Sequence, residues 1–210
     1  TMNGLYICSF AEDETNAYYF DWLDGFRHAG FNCLNAHQCT AKSLLGALLF
    51  RKYDIIVIGY SCFYRLSGRI RQLLTAYASF SSATVVGFMQ NEYRNFAQKI
   101  EFLEAFNLDI LVTQLPQDIA SEFYCGRTKA KILSLPHALN TRNVQQRNEH
   151  KDREIDVGSR LSEYPHYVGN IGRSETLPAF VDKVRNERNF IVDWETDRSK
   201  RLTHSDWFEF

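Results

Sequence analysis

The densest group of side chains able to do chemistry is "MQNEYRN", residues 89–95, where an apolar run passes directly into Gln90, Asn91, Glu92, Tyr93 and Arg94. Amides and carboxylates can hold sugar hydroxyls, Glu92 could serve as a general base, and Arg94 could meet an anionic group. The same residues also read as ordinary loop-end polarity, with Asn91 capping the next helix and Glu92 favouring its positive end. On composition alone the plainer reading prevails. Asp13, in the acidic run Glu12-Asp13-Glu14, and His137, in "SLPHALN", are two further candidate bases. Cys62 closes an apolar run and could be a nucleophile with His37 or His137, although a buried structural cysteine is the commoner outcome. Trp22 and the Tyr18-Tyr19-Phe20 run read as helix packing rather than as a stacking platform, and Arg65, Arg69 and Arg71 read as the solvated face of one helix.

The elements that would position these groups alternate along residues 1–140. "LYICSF" (5–10) predicts a strand, and "NAYYFDWLDGFRHAG" a helix with Tyr19, Trp22, Leu23 and Phe26 at helical spacing and Gly30 as its stop. "FNCLNAHQ" predicts a second strand. "AKSLLGALLFRKY" predicts a helix burying Leu44, Leu45, Leu48 and Leu49. "DIIVIGYSC" (54–62) is the clearest strand, a near-continuous apolar run suited to a parallel strand covered on both faces. "FYRLSGRIRQLLTAYASF" reads as one helix, "TVVGFMQ" as a strand, "FAQKIEFLEAF" as a helix and "LDILVTQ" as a strand. A helix from "PQDIASEFY" and a strand "AKILSLP" complete the pattern. The fold class expected is α/β, a doubly wound parallel sheet of about six strands with helices on both faces. Ligands of such sheets bind outside the carboxyl ends of the strands, so "FAEDETN", "NAHQCT", "GYSCFYR", "MQNEYRN", "TQLPQD" and "LPHALN" are the loops of interest.

Several chemistries are excluded by what those loops lack. The turn after the first strand, "FAEDET", is acidic and has no glycine, so it cannot bring backbone against a pyrophosphate as a dinucleotide fold does. A phosphoacceptor receiver would need an aspartate at the end of the third strand, where Gly59-Tyr60-Ser61 stands. Neither G-x-x-x-x-G-K nor G-x-S-x-G occurs.

Of 210 residues, 45% are apolar and the formal net charge is −1, enough apolar surface for a substantial core and no whole-chain pull toward nucleic acid or an anionic membrane. No apolar run reaches the roughly 20 residues of a membrane span, and no secretory leader is visible. Thr1 ahead of Met2 reads as a remnant before a natural start. Five cysteines without a C-x-x-C pair read as reduced thiols of a cytoplasmic protein. Lys/Arg and Asp/Glu number 12 and 12 in residues 1–140 but 12 and 13 in the last 70, a doubling of charge density that marks a boundary. The expected organisation is a first domain over 2–140, a linker over 141–154 and a second domain opening at 155.

Two segments in this order resemble GT-B-fold glycosyltransferases, including spore-coat-type and group 1-like bacterial polysaccharide enzymes. The first is "GFMQNEYRNF" (87–96) followed by "LDILVTQLPQDIASEFY" (108–124), and the second is "REIDVGSRLSEYPHYVGNIGR" (153–173). The resemblance covers about residues 85–180. It implies two Rossmann-like domains, the acceptor held mainly by the first and a nucleotide-sugar donor mainly by the second. Asn91, Glu92, Tyr93 and Arg94 match the first-domain motif and would border the cleft. Arg160, Gly172 and Arg173 match the first loop of the second domain, where guanidinium groups and loop amides suit a donor diphosphate. The reaction implied is sugar transfer from a nucleotide sugar to a glycan or glycoconjugate acceptor in surface polysaccharide biosynthesis. The nucleotide sugar is a co-substrate, no cofactor is implied, and the lack of a D-x-D motif agrees with a metal-independent enzyme. No nucleic-acid partner is expected, and the expected location is the cytoplasm, peripheral association with the inner face of the membrane being compatible. The family's second domain needs well over a hundred residues, and residues 155–210 supply about 55. The expectation is therefore a truncated chain, inactive alone, with Asp13, Glu92 and His137 unranked as the base. The alternative is a non-catalytic Rossmann-like binding or scaffold module.

Overall fold

A computed structural model describes residues 2–11, 17–49, 51–136, 155–160, 175–188 and 190–195. The chain divides into two compact units, Thr1–Asn140 and Thr141–Phe210.

The first unit is built on β1 (Gly4–Cys8), α1 (Ala17–His28), β2 (Asn32–Asn35), α2 (Ala41–Leu49) and β3 (Ile55–Ile58). It continues with α3 (Cys62–Arg65), α4 (Gly68–Phe80), β4 (Thr84–Phe88), α5 (Phe96–Glu104), β5 (Ile110–Thr113), α6 (Gln117–Tyr124) and β6 (Lys131–Ser134). All five strand pairings are parallel, and the six strands lie in the order β2-β1-β3-β4-β5-β6. The Rossmann-like α/β architecture expected from the alternation is therefore present.

That strand order decides which face each helix covers. Parallel strands need crossovers, and these are right-handed. The step from β1 to β2 runs one way along the sheet, and every later step runs the other way past it. Hence α1 lies on one face and α2, α4, α5 and α6 on the opposite one. Strand periodicity sorts the side chains accordingly. Leu5, Ile7, Ile56, Ile58, Val85 and Leu111 pack with Leu44, Leu74, Phe102 and Leu103 beneath the four helices. Tyr6, Cys8, Val57, Val86 and Val112 pack with Tyr19 and Leu23 of α1.

Two local expectations need correction. The run after β3 is two helices, not one: Leu66 and Ser67 are extended, and the Ser67 hydroxyl caps α4 by accepting from the Ile70 N–H. An N-cap must leave helical geometry, so the cap itself makes the break. Arg65 consequently ends α3 while Arg69 and Arg71 lie on α4. In α2, Leu44 and Leu48 are buried but Leu45 is 39% exposed, because one residue rotates the helix by about 100° away from the sheet.

The second unit contains β7 (Val157–Arg160), α7 (Leu177–Arg188) and β8 (Val192–Glu195), with β7 and β8 paired in parallel from Val157↔Val192 to Arg160↔Glu195. This is a βαβ unit. The pairing is extended at its amino end by the Asp156 N–H donating to Ile191 O, while Asp156 Oδ2 accepts from the Ile191 N–H at 2.8 Å. Val181 is the buried anchor of α7.

Candidate functional site

The carboxyl edge of the first sheet carries a cleft of about 410 Å³, counting the open solvent at its mouth. It opens on the face that α1 covers. Tyr18, Tyr19 and Trp22 of α1 form one wall, and Tyr60, just past β3, and Phe88 of β4 add two more rings. Gln90, Thr113 and Gln114 supply amide and hydroxyl groups from the ends of β4 and β5, and Leu135 closes the side beyond β6. Among the described residues no charged side chain lines it. The rings support one another: Trp22 meets Phe88 edge-on at 4.8 Å between centroids, and Tyr18 meets Tyr19 at 4.4 Å. Aromatic walls and a few fixed polar groups are features that small-molecule sites share.

The loop from β4 to α5 reaches the lining of this cleft through Met89 and Gln90, and it is held from two sides. From below, Lys99 of α5 is 1% exposed and donates from Nζ to the carbonyls of Gln90 and Asn91, each at 2.8 Å. Its ammonium also lies 5.0 Å from the Tyr60 ring centre and 5.8 Å from that of Phe63, within cation–π range. Burial lowers the Lys99 amine to about 8; the Glu92 carboxylate resists that fall and Arg94 adds to it. From the side, the Thr113 hydroxyl and the Tyr124 hydroxyl both donate to Glu92 Oε1, the second at 3.1 Å. Burial first, and then the Glu92 carboxylate, push the Tyr124 phenol upward.

Asn91 and Asn95 both adopt left-handed backbone, at φ 53° and 51°. Asparagine tolerates this region better than most residues, and two such positions let the chain turn tightly around Glu92, Tyr93 and Arg94. Asn91 is not a helix cap. Asn95 precedes α5, and its side chain makes no capping bond. The Asn91 amide instead donates to the Tyr60 hydroxyl at 3.4 Å, linking the loop to the wall of the cleft.

The residues singled out in the sequence separate into three groups. Asn91, Glu92, Tyr93 and Arg94 are together on this loop, with Tyr93 and Arg94 exposed at its tip and Glu92 turned inward. Arg160 is the last residue of β7, where it pairs with Glu195 in the strand register. Asp13, His137, Gly172 and Arg173 lie outside the described residues. Cys62 is completely buried and donates from Sγ to Ile7 O at 3.3 Å. Burial pushes its thiol well above the ordinary range, which removes it as a thiolate nucleophile.

Sequence reasoning missed Tyr60, Lys99 and Gln114, and assigned Tyr18, Tyr19 and Trp22 to packing alone. Lys99 carried a usable signal. Phe96, Lys99, Leu103 and Phe106 recur at helical spacing, so a lysine stands in the buried stripe of α5. Tyr60 carried none, because its role follows from the strand order. No metal-holding cluster of three or more His, Cys, Asp or Glu occurs among the described residues, and no helix there is long and apolar enough to cross a membrane. Comparison with protein-family models, with curated proteins and with solved structures returned no match.

Proposed function

We propose that the chain is part of a glycosyltransferase that uses a nucleotide-sugar donor, with the cleft at the carboxyl edge of the first sheet holding the glycan or glycoconjugate acceptor. One observation carries this reading. The cleft is lined by the rings of Trp22, Tyr18 and Tyr60 beside the neutral hydrogen-bonding groups of Gln90, Thr113 and Gln114. A sugar ring offers the complementary surface: an apolar C–H face for a ring and hydroxyls for amides. Arg160, Gly172 and Arg173 would then bind the donor diphosphate.

Titration of uncharged oligosaccharides, followed by calorimetry in wild type and variants and by tryptophan fluorescence in wild type, tests the acceptor half. Binding that weakens at least about tenfold in Trp22→Ala supports it, by analogy with nucleobases, whose stacking on an aromatic side chain is worth about 1–3 kcal/mol. Absence of binding across a broad glycan panel, or binding indifferent to both Trp22→Ala and Tyr60→Ala, sinks it. The donor half is tested by calorimetry with UDP-, GDP- and TDP-sugars, where Arg173→Ala should weaken binding. Transfer would add sugar to the acceptor and release the nucleoside diphosphate.

A second reading, a non-catalytic binding module, is favoured by one feature. The Glu92 carboxylate is already engaged by Thr113 and Tyr124, as a structural anchor would be. Glycan binding without donor binding or transfer would select this reading.

A further inference from the structure

Lys99 is an uncommon feature for the helix-covered side of a sheet: a lysine at 1% exposure, on the apolar stripe of α5. An ion removed from water is costly unless its hydrogen-bonding capacity is met. Here it is met by groups that belong to the cleft. Nζ donates to Gln90 O and Asn91 O at 2.8 Å each, and Gln90 lines the cleft. The same ammonium lies against the ring of Tyr60, whose hydroxyl accepts from the Asn91 amide and whose ring lines the cleft as well. One buried cation therefore contacts, from behind, both a polar and an aromatic part of the lining.

A second small pocket, about 200 Å³ counting open solvent, adjoins these groups. It is lined by Lys99 with Phe63, Phe102 and Leu103 on one side and by Gly59, Tyr60, Phe88 and Met89 on the other. Phe63, Phe102 and Leu103 line the same pocket, and the charged side chains that act on Nζ are Glu92 and Arg94 of the loop itself. The backbone that Lys99 fixes also needs fixing, since Asn91 sits in the left-handed region and Asn95 does so four residues later.

We propose that Lys99 is the positioning residue of the cleft, its amino group setting the Gln90–Asn91 backbone and the Tyr60 ring in the arrangement that forms the cleft's floor and wall. This inference does not depend on the identity of the ligand. A charged donor makes stronger hydrogen bonds than a neutral one, and a neutral amine has no cation–π attraction. Burial nonetheless disfavours the charged form, so a loop that opens Nζ to water takes up the proton more readily, and the closed arrangement loosens as Lys99 is protonated. Groups facing Nζ from the elements around it are Glu92 and Arg94 on the loop, Tyr60 after β3, and Tyr124 of α6 acting through Glu92. Phe63 of α3 and Phe102 of α5 are uncharged. Burial places the Lys99 transition near pH 8, within reach of a folded-state experiment.

The test is native-state hydrogen exchange of the amides of residues 90–95, corrected for intrinsic exchange, from about pH 7 to about pH 9.5. By that linkage the protection of the loop should rise about tenfold over this range. The ring-carbon resonances of Tyr60 should shift with the same midpoint. Lys99→Arg, charged throughout, should give a flat profile, and Lys99→Met a flat profile at low protection. A wild-type loop whose protection does not rise with pH, or a folded Lys99→Met whose loop is protected as in the wild type, overturns the proposal. If Lys99→Met does not fold, the wild-type pH series and the Tyr60 resonances decide alone.

Discussion

The two faces of the first sheet are covered in different ways. Beneath α2, α4, α5 and α6 the contacts are mainly aliphatic and closed: Leu44, Ile58, Phe106 and Leu111 are fully buried. On the other face, among the described residues, α1 is the helix, and rings do the covering. Tyr6 stacks on Phe26 at 4.2 Å, and Trp22 stands edge-on to Phe88. The difference has a topological origin. Right-handed crossovers in the order β2-β1-β3-β4-β5-β6 send one helix to one side and four to the other. The sparsely covered side is where a cleft can open, and aromatic side chains give it walls without a second helix.

If the closed face supplies stability and the open face supplies the cleft, truncations on the two should separate cleanly. Leu44→Ala, at 0% exposure, should cost about 3 kcal/mol in urea unfolding, from lost transfer energy and the cavity left behind. The glycan affinity proposed for the cleft should stay unchanged in that variant while it is folded. Trp22→Ala, at a half-buried position, should cost less stability and most of the binding. Equal stability losses, or binding lost in Leu44→Ala, would break the contrast.

Lys99 crosses the division, since it belongs to the closed face and serves the open one. The unfolded chain keeps this proton up to the ordinary value of 10.5, whereas the folded chain releases it near 8. Between those values the unfolded state holds the extra proton, so raising the pH favours folding. Wild type should therefore gain on Lys99→Met from about pH 8 to about pH 10, by up to about 3 kcal/mol for a shift of this size. Below that range the buried charge is a net cost of position. Buried thiols act the other way above about pH 9: Cys8 is pushed up to about 12 by burial, and Cys62 is raised as well. Both are present in each chain and cancel in the difference. A pH-independent difference would mean the ammonium is not desolvated.

A smaller effect is expected at Gly59, where the two faces meet behind the cleft wall. A Cβ there would lie 2.9 Å from the Ile7 carbonyl oxygen and 2.7 Å from the Tyr6 hydroxyl. The backbone oxygen cannot give way, because it also accepts from the Gly59 N–H at 2.8 Å. Gly59→Ala should cost about 2 kcal/mol in thermal or urea unfolding, in the range of overpacked sites. It should also perturb the Tyr6 and Tyr60 resonances together. An unperturbed Tyr60 would show that the wall is set by the loop alone.

What could be read from the residues follows the range of the interactions involved. Alternating strands and helices are written locally, so the six parallel strands, the Gly30 stop at φ 83° and the polar β4–α5 loop were all legible. The cleft was not, because Tyr18, Tyr60, Gln90 and Gln114 come from four separate segments joined only by strand order. Asn91 has the type and place of a cap, yet left-handed backbone and the Lys99 contact carry it elsewhere. Glu92 reads as a base in the sequence, and its two hydroxyl partners lie 21 and 32 residues away.

The least costly prediction concerns the boundary of the closed face. Leu44 and Leu45 are the same side chain one residue apart, and apolar runs in a sequence do not tell them apart. The helix does: Leu44 is fully buried in the core while Leu45 is 39% exposed. Leu45→Gln keeps a straight-chain helix former and removes apolar surface that water already reaches. Its effect on urea unfolding should stay within about 0.5 kcal/mol, as for surface sites away from special features. That is several-fold below Leu44→Ala, and glycan affinity should be untouched. A loss approaching that of Leu44→Ala would place another surface over α2. The closed face would then extend beyond the four helices that define it here.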